Sequence, residues 1–166
     1  MAEKAFKHPN DVNSVRFINK AGTQFVSGCD DGIVRHYDTR SSNKKPVNVL
    51  VGHRAGITYA EGNEMENYII SNSKDQTIKL WDLRYVSTTE NDARNIQNFD
   101  YRIEEFSNDN RPIKDSSVMT YSGHTVYRTL IRCHFSPFES TGNQYIYSGS
   151  ADGSVYIWHI DGSLVS

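Results

Sequence analysis

Ile69-Ile70-Ser71-Asn72-Ser73-Lys74-Asp75-Gln76-Thr77-Ile78-Lys79-Leu80-Trp81-Asp82-Leu83-Arg84 is the stretch on which the fold turns. Two apolar runs, Tyr68 to Ser71 and Thr77 to Trp81, flank a polar turn, which is the pattern of a β-hairpin. The Asp in that turn has a Ser four residues before it and an aromatic six residues after it. The same spacing recurs in Ser27, Asp31 and Tyr37, in Ser71, Asp75 and Trp81, and in Ser148, Asp152 and Trp158. A His precedes each unit, at His8, His53 and His124. The chain is therefore built of repeats, and repeats of this length make solenoids, propellers or arrays.

The period selects among these. Asp31 and Asp75 lie 44 positions apart, and each unit reads as several short strands, which fits four-stranded propeller blades. Asp152 follows Asp75 by 77 positions, so about 33 extra residues lie between the second and third units. The expected strands of blade one (residues 1–52) are Val12 to Ile18, Gln24 to Gly28, Ile33 to Tyr37 and Val47 to Val51. Blade two (53–123, with an insertion at 85–115) gives Ile57 to Ala60, Tyr68 to Ser71, Thr77 to Trp81 and Ser117 to Tyr121. Blade three (124–166) gives Leu130 to Ser136, Tyr145 to Ser148 and Val155 to Trp158, with Leu164-Val165 beginning a fourth strand. The fold class is all-β, a partial propeller. Three blades cannot close the usual ring of four to eight, so the expectation is a piece of a larger propeller with exposed sheet edges that are prone to pairing.

Composition excludes several classes. With 37% apolar residues the chain can bury one domain-sized core, and a net charge of -2 supplies no basic field for nucleic acid. Cys29 and Cys133 lack the paired spacing of zinc or redox motifs, which reads as a protein of a reducing compartment. Met1 to Asp11 has no apolar signal-peptide core and no stretch is long enough to span a bilayer, so neither secretion by such a peptide nor membrane insertion is expected.

Gly52-His53, Ser71, Asp75 and Trp81-Asp82 resemble the WD repeat, as do Gly123-His124, Ser148, Asp152 and Trp158. The resemblance implies that His, Ser, Asp and Trp form a hydrogen-bonded tetrad within each blade, giving partners to half-buried imidazole and indole nitrogens. Blade one departs from the pattern, with Lys7 before His8 and Tyr37 for Trp, which predicts a looser tetrad or none. Blade three ends in Trp158-His159, and its His124 stands two residues further than usual from Phe135-Ser136-Pro137.

His53, Asp75 and Ser71 contain the residue types of a hydrolase triad, but the same types recur in every blade and no Gly-x-Ser-x-Gly elbow is present. Cys133-His134 lacks further ligands at metal-site spacing, and an alternating strand explains it. No catalytic residue, metal or cofactor is assigned.

Tyr37-Asp38-Thr39-Arg40 and Trp81-Asp82-Leu83-Arg84 both fit Trp/Tyr-Asp-x-Arg. They resemble the box of WD-repeat receptors that dock on the damaged-DNA-binding adaptor of cullin-4 RING ubiquitin ligases, which implies adaptor contacts at Asp38, Arg40, Asp82 and Arg84. Arg or Lys at this place is also common in WD repeats without a ligase, where it is ordinary surface charge. A longer resemblance runs through Ile70 to Arg84, Asp100-Tyr101-Arg102, Asp115 to Tyr121 and Thr129 to Pro137, to the cullin-4-associated WD-repeat factors of the eleventh subfamily and their plant relatives. It implies a non-enzymatic substrate receptor of the nucleus and cytoplasm, with a protein client of unknown identity. A general WD-repeat scaffold with no ubiquitin connection is the alternative.

The insertion Tyr85 to Asp115 holds seven acidic and four basic residues and is expected to leave from the face that carries Arg84. The opposite face carries the Gly-His loops and Asp turns, where Arg54, Lys74 and Arg128 would suit an acidic client segment.

Overall fold

Each blade is a meander in which successive strands pair antiparallel, and the reason is local. In all three, the repeated Asp closes the turn between the second and third strands by accepting the backbone N–H two residues on: Asp31 from Ile33 (3.1 Å), Asp75 from Thr77 (3.0 Å) and Asp152 from Ser154 (2.9 Å). The residue after each Asp takes a positive φ, +79° at Gly32, +67° at Gln76 and +87° at Gly153. The structure, a computed structural model, describes residues 4–63, 65, 67–93, 112, 114–127 and 129–165.

The first sheet runs in the order β1 (Val12–Phe17), β2 (Gln24–Cys29), β3 (Val34–Asp38) and β4 (Asn48–Leu50). The second runs β5 (Ile57–Gly62), β6 (Tyr68–Ser73), β7 (Ile78–Asp82) and β8 (Met119–Tyr121). The third has β9 (Cys133–Phe135), β10 (Tyr145–Gly149) and β11 (Val155–His159), with the one-turn helix α1 (Phe138–Thr141) between β9 and β10. The sheets do not close into a ring. Leu164 makes an isolated bridge to Trp158 where a fourth strand was expected. Leu130 to Arg132 precede β9 rather than extending it, because the long loop from His124 brings the chain into register only at Cys133, opposite Ser148.

Strand alternation puts one face of each sheet against the next. Ile18, Val26, Val34 and Leu50 of the first sheet pack on Ile57, Ala60, Ile69 and Trp81 of the second. The other face of the second sheet, with Tyr59, Ile70, Ile78, Leu80 and Tyr121, packs on Cys133, Phe135, Ile146 and Trp158. Each fully buried Ile or Val in these seams is worth about 1.5–3 kcal/mol relative to exposure. The outward face of blade one leaves Val15 and Phe17 exposed, while Phe6 of the N-terminal segment sits edge-on to Phe25 and Tyr37 beside them.

The first strands β1, β5 and β9 are neighbours across the seams. Ser14 Oγ accepts the Ala60 N–H (3.1 Å), and Phe135 donates its N–H to Glu61 (3.3 Å). Both β1 and β5 carry a register shift, at Asn13 and Thr58, and both of these side chains bridge to a neighbouring blade: Asn13 to Ile57 O (2.9 Å), Thr58 to Ile131 O (3.1 Å).

The described ends of the insertion lie on blade one rather than beside Arg84 alone. A 3-10 turn, Glu90–Ala93, packs Ala93 on Ile33 and Val51. Glu90 binds the buried Arg35 (2.8 Å), and the Ser116 N–H donates to Val51 O (2.9 Å). The Asp115 carboxylate then crosses so close to Gly52 that a side chain there would strike it, which accounts for the glycine before His53. Tyr101 and Arg102, part of the subfamily resemblance, lie outside the described residues.

Candidate functional site

Blade two holds its four signature residues in one buried chain of hydrogen bonds. Trp81 donates from Nε1 to Ser71 Oγ (2.8 Å), Ser71 meets His53 Nε2 (2.8 Å), and His53 Nδ1 meets Asp75 Oδ2 (2.9 Å). With a neutral imidazole the donor inventory allows one order: indole to hydroxyl, hydroxyl to Nε2, and Nδ1–H to carboxylate. Burial alone would raise the Asp75 pKa, but the facing His53, the Thr77 hydroxyl and the Arg54 N–H outweigh it and bring it down to about 2. With His53, Ser71 and Trp81 wholly buried, no bond of the tetrad opens to a substrate.

Blade one keeps only part of this. His8 Nε2 meets Ser27 Oγ (2.7 Å) and the Tyr37 hydroxyl (3.3 Å), but its Nδ1 faces the Phe6 carbonyl (3.3 Å) rather than Asp31. Asp31 is taken by Arg35, at 2.6 Å, a guanidinium that is 3% exposed and also bound to Glu90 of the insertion. A buried cation with two carboxylates outcompetes an imidazole for Asp31.

In blade three His124 keeps an edge-to-face contact with Trp158 (5.4 Å), but no hydrogen bond joins the four residues among those described, which corrects the tetrad expected there. Ser148 donates to the Arg132 carbonyl (3.1 Å) and the Gly149 carbonyl (2.8 Å), Trp158 donates to Ser122 O (3.2 Å), and the exposed Asp152 accepts from the Tyr156 hydroxyl (3.1 Å). His124 instead gives its Nε2–H to Asn72 of blade two (3.0 Å), and its buried Nδ1 has no hydrogen-bond partner among the described residues. Burial lowers its pKa to about 4, against the raising influence of Asp75 and Asp152. The longer loop after His124 lets the imidazole settle in the seam with blade two rather than over its own Asp.

The two Trp/Tyr-Asp-x-Arg stretches fold identically. Arg40 turns back on Asp38 with Nη2 at 2.6 Å and Nε at 3.0 Å, and Arg84 on Asp82 with 2.6 and 2.9 Å. In each case the Asp also accepts the arginine's own backbone N–H, at 2.8 and 3.0 Å. The Arg40 hydrogen bonds bring the Asp38 pKa down to about 2, and those of Arg84 lower that of Asp82. Arg84 is held further, by the Tyr68 hydroxyl (3.0 Å) and between the rings of Tyr68 and Tyr85, each 5.5 Å away. Both guanidiniums remain largely exposed, 68% and 52%, at the same end of adjacent sheets, where β3 and β7 finish.

At the opposite end, Lys74 is not available to a client. Its side chain is 4% exposed and its ammonium binds Asp30 of blade one (2.7 Å), so it ties two blades together. Arg54 lies on the Gly-His loop with its N–H on Asp75, and Arg128 lies outside the described residues. Cys133 is buried, which raises its pKa well above the usual thiol, and His134 turns to Glu61 (2.9 Å). Among the described residues no cluster of metal-ligating side chains forms.

The sequence profile of the WD domain, G-beta repeat, matches residues 3–38, 44–82 and 115–159. The LEC14B protein of Lithospermum erythrorhizon is 45% identical over 160 residues, which cover 92% of this chain and 34% of that protein. The DDB1- and CUL4-associated factor 11 homolog of Caenorhabditis elegans is 43% identical over 169 residues, 96% of this chain and 29% of its own length. A more distant relative, a WD repeat-containing protein of Dictyostelium discoideum, is 28% identical over 86% of this chain. The chain spans about a third of the length of the first two. With three matched repeats, each lying on one antiparallel sheet, the chain belongs to the WD40 repeat family.

Proposed function

We propose that this chain forms part of the substrate receptor of a cullin-4 ubiquitin ligase and docks on the DDB1 adaptor through the end of the sheets that carries Arg40 and Arg84. The observation that carries the reading is the repeated clamp. Two guanidiniums on adjacent blades are each pre-oriented by an Asp two residues earlier, exposed, and presented in the same direction along the chain. A pre-organised Arg loses little freedom on meeting a carbonyl or carboxylate, which is the property wanted at an interface anchor. Similarity to relatives named as DDB1- and CUL4-associated factors supports the identity of the partner. In this reading the chain performs no chemistry; it fixes which client approaches the ligase, which acts in the nucleus and the cytoplasm.

The test is co-purification of the full-length protein with DDB1, comparing wild type with an Arg40→Ala, Arg84→Ala double variant whose circular dichroism is unchanged. Adaptor recovered with wild type and lost with the variant is the expected result. Equal recovery with both would move the docking site elsewhere, and recovery with neither would leave a scaffold without a ubiquitin role.

A further inference from the structure

Blades one and two build the same turn at the end of their third strands and then clothe it differently. In each, the chain closes on the carbonyl of the Asp: the Ser41 N–H donates to Asp38 O and the Tyr85 N–H to Asp82 O, both at 3.1 Å. The residue between Asp and Arg is tied to the preceding loop in the same way, Thr39 to Thr23 O (2.8 Å) and Leu83 to Asn67 O (2.9 Å). Gln24 stands opposite Asp38 in blade one, where Tyr68 stands opposite Asp82 in blade two. Ser41 and Tyr85 hold the position after the Arg. Two polar residues around Arg40 thus correspond to two tyrosines around Arg84.

The tyrosines change what each turn offers a partner. Tyr85 is 76% exposed, the most open of the large apolar and aromatic side chains among the described residues. Its turn is nevertheless pinned, because Leu83 before it and Val86 after it pack into the seam between blades one and two. A lone exposed aromatic calls for no partner. Tyr85 is not alone: its ring lies beside an exposed guanidinium that is fixed by Asp82 and Tyr68 and whose Nη1 has no partner among the described residues. Tyrosine and arginine held together in this way are the residue types that dominate interface energies. Blade one offers charge instead. The Lys4 ammonium caps its turn on the carbonyls of Thr39 (2.8 Å) and Ser41 (2.6 Å), so a second cation stands beside Arg40.

We infer that the two clamps have different tasks in docking. Tyr68, Arg84 and Tyr85 form the anchor, which enters an apolar recess of the partner edged by a carbonyl or carboxylate, while Arg40 and Lys4 form a cationic rim that faces acidic residues. The inference rests on the docking surface proposed above and adds Tyr85 to it as the residue that determines how long the partner stays. Covering the Tyr85 ring removes apolar area from water and strengthens its attraction to the guanidinium. Arg40 and Lys4 act on an approaching partner through charge, which salt screens. The anchor therefore sets the dissociation rate and the rim the association rate.

The test measures association and dissociation rates between the full-length protein and purified DDB1 by biolayer interferometry across a salt series. Tyr85→Ser, which gives blade two the residue of blade one, is expected to raise the dissociation rate about tenfold or more, with the association rate and the urea midpoint unchanged. Tyr85→Phe should behave as wild type. Arg84→Lys keeps the charge but loses the planar fork, and should raise the dissociation rate about as much as Tyr85→Ser. Arg40→Ala should slow association about threefold and flatten its salt dependence, with dissociation changed by less than about twofold. An unchanged dissociation rate for Tyr85→Ser overturns the inference and leaves the docking surface standing. So does an Arg40→Ala loss that falls on dissociation as heavily as that of Arg84→Lys. Wild type that fails to bind DDB1 overturns the docking surface and this inference together.

Discussion

Blades two and three carry the same four signature residues, with Ser, Asp and Trp at matching spacing, yet they hold their histidines in opposite ways. His53 is satisfied at both nitrogens within its own blade, by Ser71 and by a carboxylate. His124 is satisfied at one nitrogen, by an amide borrowed from blade two, and its other nitrogen is buried with no hydrogen-bond partner among the described residues. Blade two is therefore stabilised from within, while blade three is stabilised by its neighbour. A motif defined by residue types can conceal this difference, because the loop between the His and the next strand decides which partner the imidazole reaches.

The largest expected effect breaks the comparison at the carboxylate. Asp75→Ala removes a buried anion that faces His53, Thr77 and the Arg54 N–H, and should cost about 3 kcal/mol. Asp152→Ala removes an exposed group that caps a turn, and should cost far less. Urea unfolding of the full-length variants, with hydrogen exchange to localise the change, reads both. Equal costs would mean that blade three closes a tetrad after all.

Acid should separate the two blades next. The folded pKa of His124, about 4, lies below its unfolded value near 6.5. Its neutral form is favoured by folding, so this contribution is complete above about pH 6.5 and is lost as pH falls toward 4, on the order of 2 kcal/mol. Asp75, held at about 2 against an ordinary 3.8, keeps its contribution above 3.8 and loses it only as pH falls toward 2. Blade three is thus expected to loosen about two pH units before blade two. Hydrogen exchange at pH 7, 5 and 4 checks the order, and a His124→Gln variant should flatten the upper window alone.

The repeat, its period and eleven of the expected strands were legible in the sequence because turn chemistry and alternation are local. Asp31, Asp75 and Asp152 announce their turns through a bond to a residue two positions away, and all three make it. What spacing could not reveal is competition across seams. Asp31 leaves His8 for Arg35 because Glu90, distant in sequence, supplies Arg35 with its second carboxylate. Lys74 looked like surface charge until Asp30 of the previous blade was placed against it. The His124 loop, two residues long of the usual spacing, was visible, and its consequence was not.

The smallest effect sharpens the comparison at the turn itself. Gln76 occupies the left-handed position that blades one and three give to Gly32 and Gly153, at φ +67°. Replacing it with Gly would relieve backbone strain of about 1 kcal/mol. The side chain, however, reaches across the seam: its carbonyl accepts the N–H of Val126 (2.6 Å) and of Tyr127 (3.3 Å), and its amide donates to Lys74 O (2.6 Å). These bonds hold the loop that carries His124. If blade three depends on blade two, Gln76→Gly should still destabilise, by about 1 kcal/mol net, since the lost bonds leave the buried Val126 N–H unpaired. The loss should appear as faster exchange of the Val126 amide with blade one unchanged. A stabilised Gln76→Gly variant would show that relief of strain outweighs the clasp and that His124 holds its loop through Asn72 alone.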